Sequence, residues 1–183
     1  KDNKNFRYNM IRKGATHNMY REELQILTNL HLVNKLERAD LTNSTDKHDI
    51  QTHENQFRLY PIDTGILYSQ IMAESIEFTA ETDDEIVDRS AEQLYQILAE
   101  ANLLQTLNIK EKKTVFWESG SLSKIDFLTE FDSCLIPIEV KYYENKRSKS
   151  MHVFRQKYPV DSCLKFGLQN FDVTDQYITC PIY

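Results

Sequence analysis

The stretch "IDFLTEFDSCLIPIEVK", residues 125–141, contains two apolar, strand-forming runs on either side of a short polar segment. The runs at 125–130 and 135–141 predict the two strands of a β-hairpin. The segment "FDSC" predicts its turn, with Asp132 and Ser133 near the centre. The hairpin gives a local frame in which the neighbouring charged residues can be placed.

Charged residues interrupt the apolar positions of this hairpin at Asp126, Glu139 and Lys141. Folding about the turn brings Asp126 opposite residue 140 or so, next to Glu139. Strand alternation places Glu139 and Lys141 on one face, and Ile138 and Val140 on the other. Charges inside a sheet are costly unless they are paired or bind a metal. The three residues are therefore either a neutralised ion cluster at a sheet edge or a functional site.

The same three residues suit one kind of chemistry. Two carboxylates, from Asp126 and Glu139, form a hard-oxygen site for Mg²⁺ or Mn²⁺. Lys141 would position a water molecule or offset charge in the transition state. An Asp followed after a gap by Glu-x-Lys on paired strands resembles the PD-(D/E)xK motif of the restriction-endonuclease-like superfamily, with Ile125 in the place of the usual proline. On this reading all three residues are catalytic, and the two acids are metal ligands.

The surrounding elements predict an α/β domain over residues 57–183. A helical pattern over 87–107 is followed by three strand-like runs, a helix at 148–158 and two further strands. This order indicates a mixed sheet flanked by helices. A strand near Phe57 is followed by a helix for which Asp63 or the next residue is placed as the N-cap.

Residues 1–56 predict a separate winged-helix-like segment with a polar linker. Its "FRYNMIRK" stretch mixes aromatic and basic residues, and an amphipathic helix begins near residue 18. The leucines expected to be buried are Leu24, Leu27 and Leu30. A winged helix is as common in protein docking as in DNA binding. For the DNA-binding alternative, the residues predicted to contact phosphates are Arg7, Arg12, Lys13 and Arg21.

The charge balance limits the nucleic-acid interpretation. The chain has 183 residues and a formal net charge of −6. Residues 61–100 hold ten Asp or Glu and one Arg. Such a chain is not a tight nonspecific DNA binder, although local basic segments can contact phosphates. Three cysteines without CxxC spacing and the lack of a long apolar run predict a cytoplasmic protein with buried, reduced thiols and no membrane association.

Taken together, these stretches resemble the C-terminal part of bacterial and archaeal AAA-type ATPases. In that family an ATPase domain is followed by a winged helix and a restriction-endonuclease-like domain of unknown function. The matching stretches are "IRKGATHNMYREELQILTNLHLV", "FRLYPIDTGIL", "VFWESGSLSKIDFLTE", "IPIEVKYYENKRSKSMHVFRQKY", and a late "NF" followed by "PIY". The chain contains no GxxxxGK[ST] segment, so the resemblance implies that ATP binds only in an ATPase domain missing from this sequence.

The resemblance leaves two functions open. The family usually has a Glu-Asn pair in the helix before the first site strand; no such pair is in register here, and Glu92 and Glu100 are the nearby candidates for the acid. One hypothesis is a nuclease-fold module of unproven activity that binds nucleic acid or protein partners, including the ATPase domain. The other is an active Mg²⁺-dependent nuclease that cleaves phosphodiesters. The sequence does not indicate an oligomeric state.

Overall fold

The computed structural model describes residues 4–41, 50–78, 84–120, 123–141, 149–175 and 177–182. Within these ranges eight strands form one mixed sheet that is flanked by helices. The predicted α/β fold is therefore confirmed. None of the helices in these ranges is long and apolar enough to cross a membrane.

Four α-helices and eight strands are present in the described residues. The helices are α1 (His17–Asn29), α2 (Thr64–Phe78), α3 (Asp84–Ile109) and α4 (Lys149–Lys157). The strands are β1 (Val33–Asp40), β2 (Gln51–Pro61), β3 (Thr114–Ser119), β4 (Ser123–Phe131), β5 (Cys134–Lys141), β6 (Leu164–Gly167), β7 (Asp172–Val173) and β8 (Ile178–Pro181). Their order across the sheet is β2-β1-β3-β4-β5-β6-β8-β7.

The hairpin of β4 and β5 lies at the centre of this sheet. Its two strands are antiparallel, and Phe131 pairs with Cys134 across a two-residue turn. Asp132 and Ser133 have φ angles of 46° and 63°. Positive φ at both central residues is the requirement of a type I′ turn, the form that matches the twist of a hairpin. The predicted turn is thus confirmed.

Two apolar cores cover the two faces of the sheet. One core joins α3 to the sheet, and its strand residues include Leu36, Phe116, Phe127, Ile138 and Val140. The other joins α4 to the sheet, and its residues include Val115, Trp117, Ile125, Met151 and Phe154. Because Ile138 and Val140 share the α3 side, the predicted alternation along β5 is confirmed, and Glu139 and Lys141 alternate with them.

The helix cap predicted at the start of α2 is present. The main-chain N–H groups of Gly65 and Ile66 donate to Asp63 Oδ1 at 2.8 and 3.1 Å. These bonds satisfy donors that the first turn of a helix leaves without partners. The role of Asp63 is therefore that of a capping residue.

The N-terminal region differs from its prediction in two respects. The expected boundary between residues 56 and 57 lies inside β2, and β1 pairs with β3, so one sheet spans both predicted segments. Leu24 is buried, but Leu27 and Leu30 are 39% and 64% exposed, so their predicted burial was wrong. The expectation of three buried cysteines was also wrong, because Cys134 is exposed.

Candidate functional site

Asp126 lies where the β4–β5 ladder ends. The last paired residues are Phe127 and Ile138, so the next position on each strand is Asp126 and Glu139. The main-chain N–H of Val140 donates to Asp126 Oδ2 at 3.1 Å. The side chain of Asp126 thus accepts a main-chain hydrogen bond just beyond the last paired residues of the two strands. This bond holds the carboxylate at the open end of the hairpin, where the sequence predicts it.

Glu139 and Lys141 form a close ion pair on β5. Lys141 Nζ lies 2.9 Å from Glu139 Oε1. Glu139 is 3% exposed, and its Oε2 is buried and has no hydrogen-bond partner among the residues that the structure describes. A buried carboxylate oxygen without a donor is uncommon in folded proteins and calls for an explanation such as an ion or a catalytic role.

Lys141 is surrounded by negative charge. Burial alone would lower the pKa of Lys141, but the carboxylates of Glu139, Asp126 and Glu100 together raise it. Three carboxylates therefore act on one ammonium group. The raised pKa keeps Lys141 protonated at neutral pH, so it is a fixed positive charge and hydrogen-bond donor.

Glu100 of α3 is fully buried and reaches this region from the helix. It accepts hydrogen bonds from Tyr60 Oη at 3.0 Å and from Gln96 Nε2 at 2.7 Å. Gln96 Nε2 also donates to the main-chain oxygen of Val140 at 2.7 Å and so joins α3 to β5. Glu100 is thus the candidate that the structure brings to the site from the preceding helix. Glu92 makes no contact with these residues in the described hydrogen-bond and ion-pair network.

The side chain of Lys4 joins two of the acids. Its Nζ donates to Glu100 Oε1 and lies 3.8 Å from Asp126 Oδ1. A second ammonium group therefore neutralises the pair formed by Glu100 and Asp126. The sequence offers no local signal for this contact, because the residues are far apart along the chain.

Arg58 of β2 is a further buried charge beside the site. Its Nη2 donates to Glu118 Oε1 at 3.3 Å, and its guanidinium carbon lies 4.1 Å from the centre of the Phe116 ring. Burial would lower the pKa of Arg58, but negative charge on Tyr60 when ionised, on Asp126 and on Glu100 raises it. The arginine therefore adds positive charge near Asp126 and Glu100.

The donor chemistry suits a hard divalent cation, although the present arrangement is not a complete ligand set. Among the residues described, no group of three or more His, Cys, Asp or Glu side chains is arranged to hold a metal ion. The side chains of Asp126 and Glu139, predicted as ligands, offer carboxylate oxygens of the type that Mg²⁺ prefers. The observation that favours a cation there is Glu139 Oε2, for which no described residue is a hydrogen-bond partner.

The residues predicted to contact nucleic acid lie around the N-terminal turn and α1. All four are exposed: Arg7, Arg12, Lys13 and Arg21. The guanidinium carbon of Arg12 lies 6.0 Å from the centre of the Tyr20 ring. Exposed apolar residues lie in the same segments, namely Met10, Ile11, Met19 and Ile26. The surface is mixed basic and apolar.

Residues 93–183 match the family model described as Domain of unknown function (DUF4143). The match covers just under half of the chain and includes Glu100 and all three residues of the predicted motif. Lys4 and Arg58 lie outside the DUF4143 region. No curated protein and no solved structure matches the chain.

Proposed function

We propose that this chain is the nuclease-fold module of an AAA-type ATPase and that its site binds Mg²⁺ and cleaves phosphodiester bonds of nucleic acid. The observation that carries the proposal is Glu139, whose Oε2 is buried with no partner in the described part of the chain, while its Oε1 lies 2.9 Å from the ammonium nitrogen of Lys141. A structural ion pair gains most when the lone pairs of the carboxylate are satisfied. A cation site explains why this oxygen is left available.

Each residue has a defined role in this proposal. Asp126 and Glu139 would hold the metal, with Glu100 adding negative charge from α3. When bound, Mg²⁺ stabilises charge on a phosphate and acidifies a water molecule. Lys141, whose Nζ lies 2.9 Å from Glu139 Oε1, would donate a hydrogen bond to a phosphate oxygen or to the attacking water.

The assembly context comes from the DUF4143 match and the resemblance in the N-terminal stretches. DUF4143 regions are commonly found with AAA-type ATPases. We place ATP binding in an ATPase domain outside this sequence and propose that domain as a partner, in a cytoplasmic protein. The exposed basic residues around α1 would contact nucleic acid.

A second function is favoured by the contacts of Lys4. This ammonium group neutralises Glu100 and Asp126, and among the described residues no three-ligand metal site is formed. On this alternative the fold is a binding module for nucleic acid or protein, and the acids serve only to hold the sheet and helix together.

The two functions give opposite results for a pair of substitutions at the site. We expect Lys141→Ala to reduce Mg²⁺-dependent cleavage of an oligonucleotide about 100-fold or more, because a donor to developing charge is lost. We expect Glu139→Gln to abolish the rise in melting temperature that millimolar Mg²⁺ gives the unsubstituted chain. Glu130→Gln, at the other end of the same hairpin, is the control and should change neither result.

A structural cluster would behave differently. Mg²⁺ would not raise the melting temperature of the unsubstituted chain. Lys141→Ala would lose about 3–5 kcal/mol of stability, the usual effect of leaving a buried charge without its partner. That combination of results would remove the nuclease proposal and leave the binding module.

A further inference from the structure

The N-terminal residues Lys4–Phe6 lie across β2 and β3 beside the acids and are fastened there by several contacts. The main-chain N–H of Phe6 donates to the oxygen of Phe57 at 2.8 Å, and the two rings are stacked with centroids 5.2 Å apart. Asn5 Nδ2 donates to Glu118 Oε2 at 3.1 Å. We call residues 4–6 the strap.

The strap ends in the ammonium group that joins Glu100 to Asp126. The side chain of Lys4 is 31% exposed, whereas those of Glu100 and Asp126 are 0% and 13% exposed. The cation is thus the most accessible member of the trio. It can leave for water without unfolding the strand or the helix that carry the acids.

Asp126 links the strap to the proposed metal site. Its Oδ2 accepts the N–H of Val140, and its Oδ1 faces Lys4. Oδ1 is therefore the oxygen through which Asp126 would bind a metal. An ammonium group and a divalent cation repel each other strongly at such short range, so they do not share this oxygen.

We propose that Lys4 is a built-in competitor of the divalent cation: while its ammonium group occupies the position between Glu100 and Asp126, metal is excluded, and metal binds when Lys4 withdraws. This inference rests on the proposed function, because it assumes that Asp126 and Glu139 bind metal. It adds a regulated state in which Lys4 of the strap excludes metal from the site, and this state needs no second protein.

The first test measures the affinity for Mn²⁺ by titration calorimetry in the unsubstituted chain and in Lys4→Gln. We expect Lys4→Gln to bind Mn²⁺ about tenfold more tightly, a coupling in the usual range for competing ligands. The matched control is Lys124→Gln. That lysine also lies near an acid, with Nζ 3.6 Å from Glu118 Oε1, but no ion pair joins it to Glu100 or Asp126 among the described contacts. Its affinity for Mn²⁺ should stay within about twofold of the parent.

The second test needs no substitution and so holds even if Lys4→Gln folds poorly. The rate at which an acylating reagent modifies Lys4 is followed by mass spectrometry, with Lys124 as the internal reference. Mn²⁺ should speed acylation of Lys4 several-fold and leave Lys124 unchanged, because a withdrawn amine loses its carboxylate partners.

The outcomes separate this inference from the proposed function. Equal Mn²⁺ affinity in the parent and Lys4→Gln, with unchanged acylation of Lys4, would overturn the competition and leave the metal site standing. No Mn²⁺ binding to either chain would overturn both. Both are supported if Lys4→Gln binds Mn²⁺ more tightly than the parent, Lys124→Gln does not, and added Mn²⁺ speeds acylation of Lys4 in the parent.

Discussion

At the scale of single residues, the site is a set of buried charges that share their partners. Glu100 accepts from Tyr60, Gln96 and Lys4, whereas the described residues give Glu139 one partner, Lys141. A fully satisfied carboxylate is a stable part of a core, and a partly satisfied one is the position at which a ligand can gain most. The two glutamates therefore divide into a structural acid and an available acid.

Tyr60 supplies a test of the structural acid. Tyr60→Phe removes the hydroxyl that donates to Glu100 Oε2 and leaves a buried charged oxygen with one donor fewer. We expect a loss of about 1–3 kcal/mol in the free energy of unfolding at pH 7. Urea denaturation measures it. Tyr68→Phe on α2, where the ring is exposed, is the control and should lose almost nothing.

The same substitution has a predictable pH dependence. Burial raises the pKa of Tyr60 above its ordinary value of 10.0. A raised pKa in the folded state gives stability that is complete below pH 10 and is lost as pH rises above it, because the unfolded chain then releases the proton more readily. The pKa of Lys141 is also raised in the folded state, so this residue too makes the free energy of unfolding fall as pH rises. The parent should therefore lose stability more steeply above pH 10 than Tyr60→Phe does, and equal slopes would contradict this account.

At the scale of elements, the β4–β5 hairpin fixes where the acids lie. Its turn holds Asp132 and Ser133 in the left-handed region, at φ angles of 46° and 63°. A residue with a Cβ atom is strained by roughly 1–2 kcal/mol in this region, and glycine is not. The hairpin is therefore strained at its turn, whereas Asp126, Glu139 and Lys141 lie at its open end.

Ser133→Gly should relieve this strain. The product has the sequence Asp-Gly, which type I′ turns prefer. Allowing for the extra entropy that glycine gives the unfolded chain, we expect a gain of about 0.5–1 kcal/mol in the free energy of unfolding. Ser119→Gly, in β3, is the comparison and should lose a similar amount. A loss of stability in Ser133→Gly would show that the serine makes a contact worth more than the strain.

How far the elements could be predicted depends on whether their cause is local. The hairpin, its turn and the Asp63 cap follow from neighbouring residues and were predictable. The exposure of Leu27 and Leu30 was not, because helical periodicity shows which residues share a face but not whether another element covers it. Glu100 gave a weak signal, as an acid between two buried alanines on the apolar stripe of α3. Nothing in the sequence pointed to its contact with Lys4.

At the scale of the whole molecule, the net charge is negative while exposed basic residues lie around α1. The chain has a net charge of −6, yet the predicted phosphate contacts are all exposed around the N-terminal turn and α1. Long-range repulsion from the net negative charge weakens binding to nucleic acid, whereas the exposed basic residues around α1 attract it. We therefore expect binding through this surface to be modest in affinity and strongly dependent on salt.

The salt dependence can be assigned to particular residues. For a protein that neutralises phosphates of duplex DNA, the logarithm of the binding constant falls with the logarithm of salt concentration by about 0.9 for each phosphate. Replacing Arg12 and Lys13 together by Gln should reduce that slope by about 2, with weaker binding to every sequence. Fluorescence anisotropy of a labelled duplex between 50 and 300 mM salt, roughly the range over which such contacts weaken, gives the slope. Lys157→Gln, exposed on α4, is the control and should keep the parent slope. A parent slope near zero would mean that α1 and its basic residues do not bind phosphates, and the mixed basic and apolar surface would then be one for docking a protein.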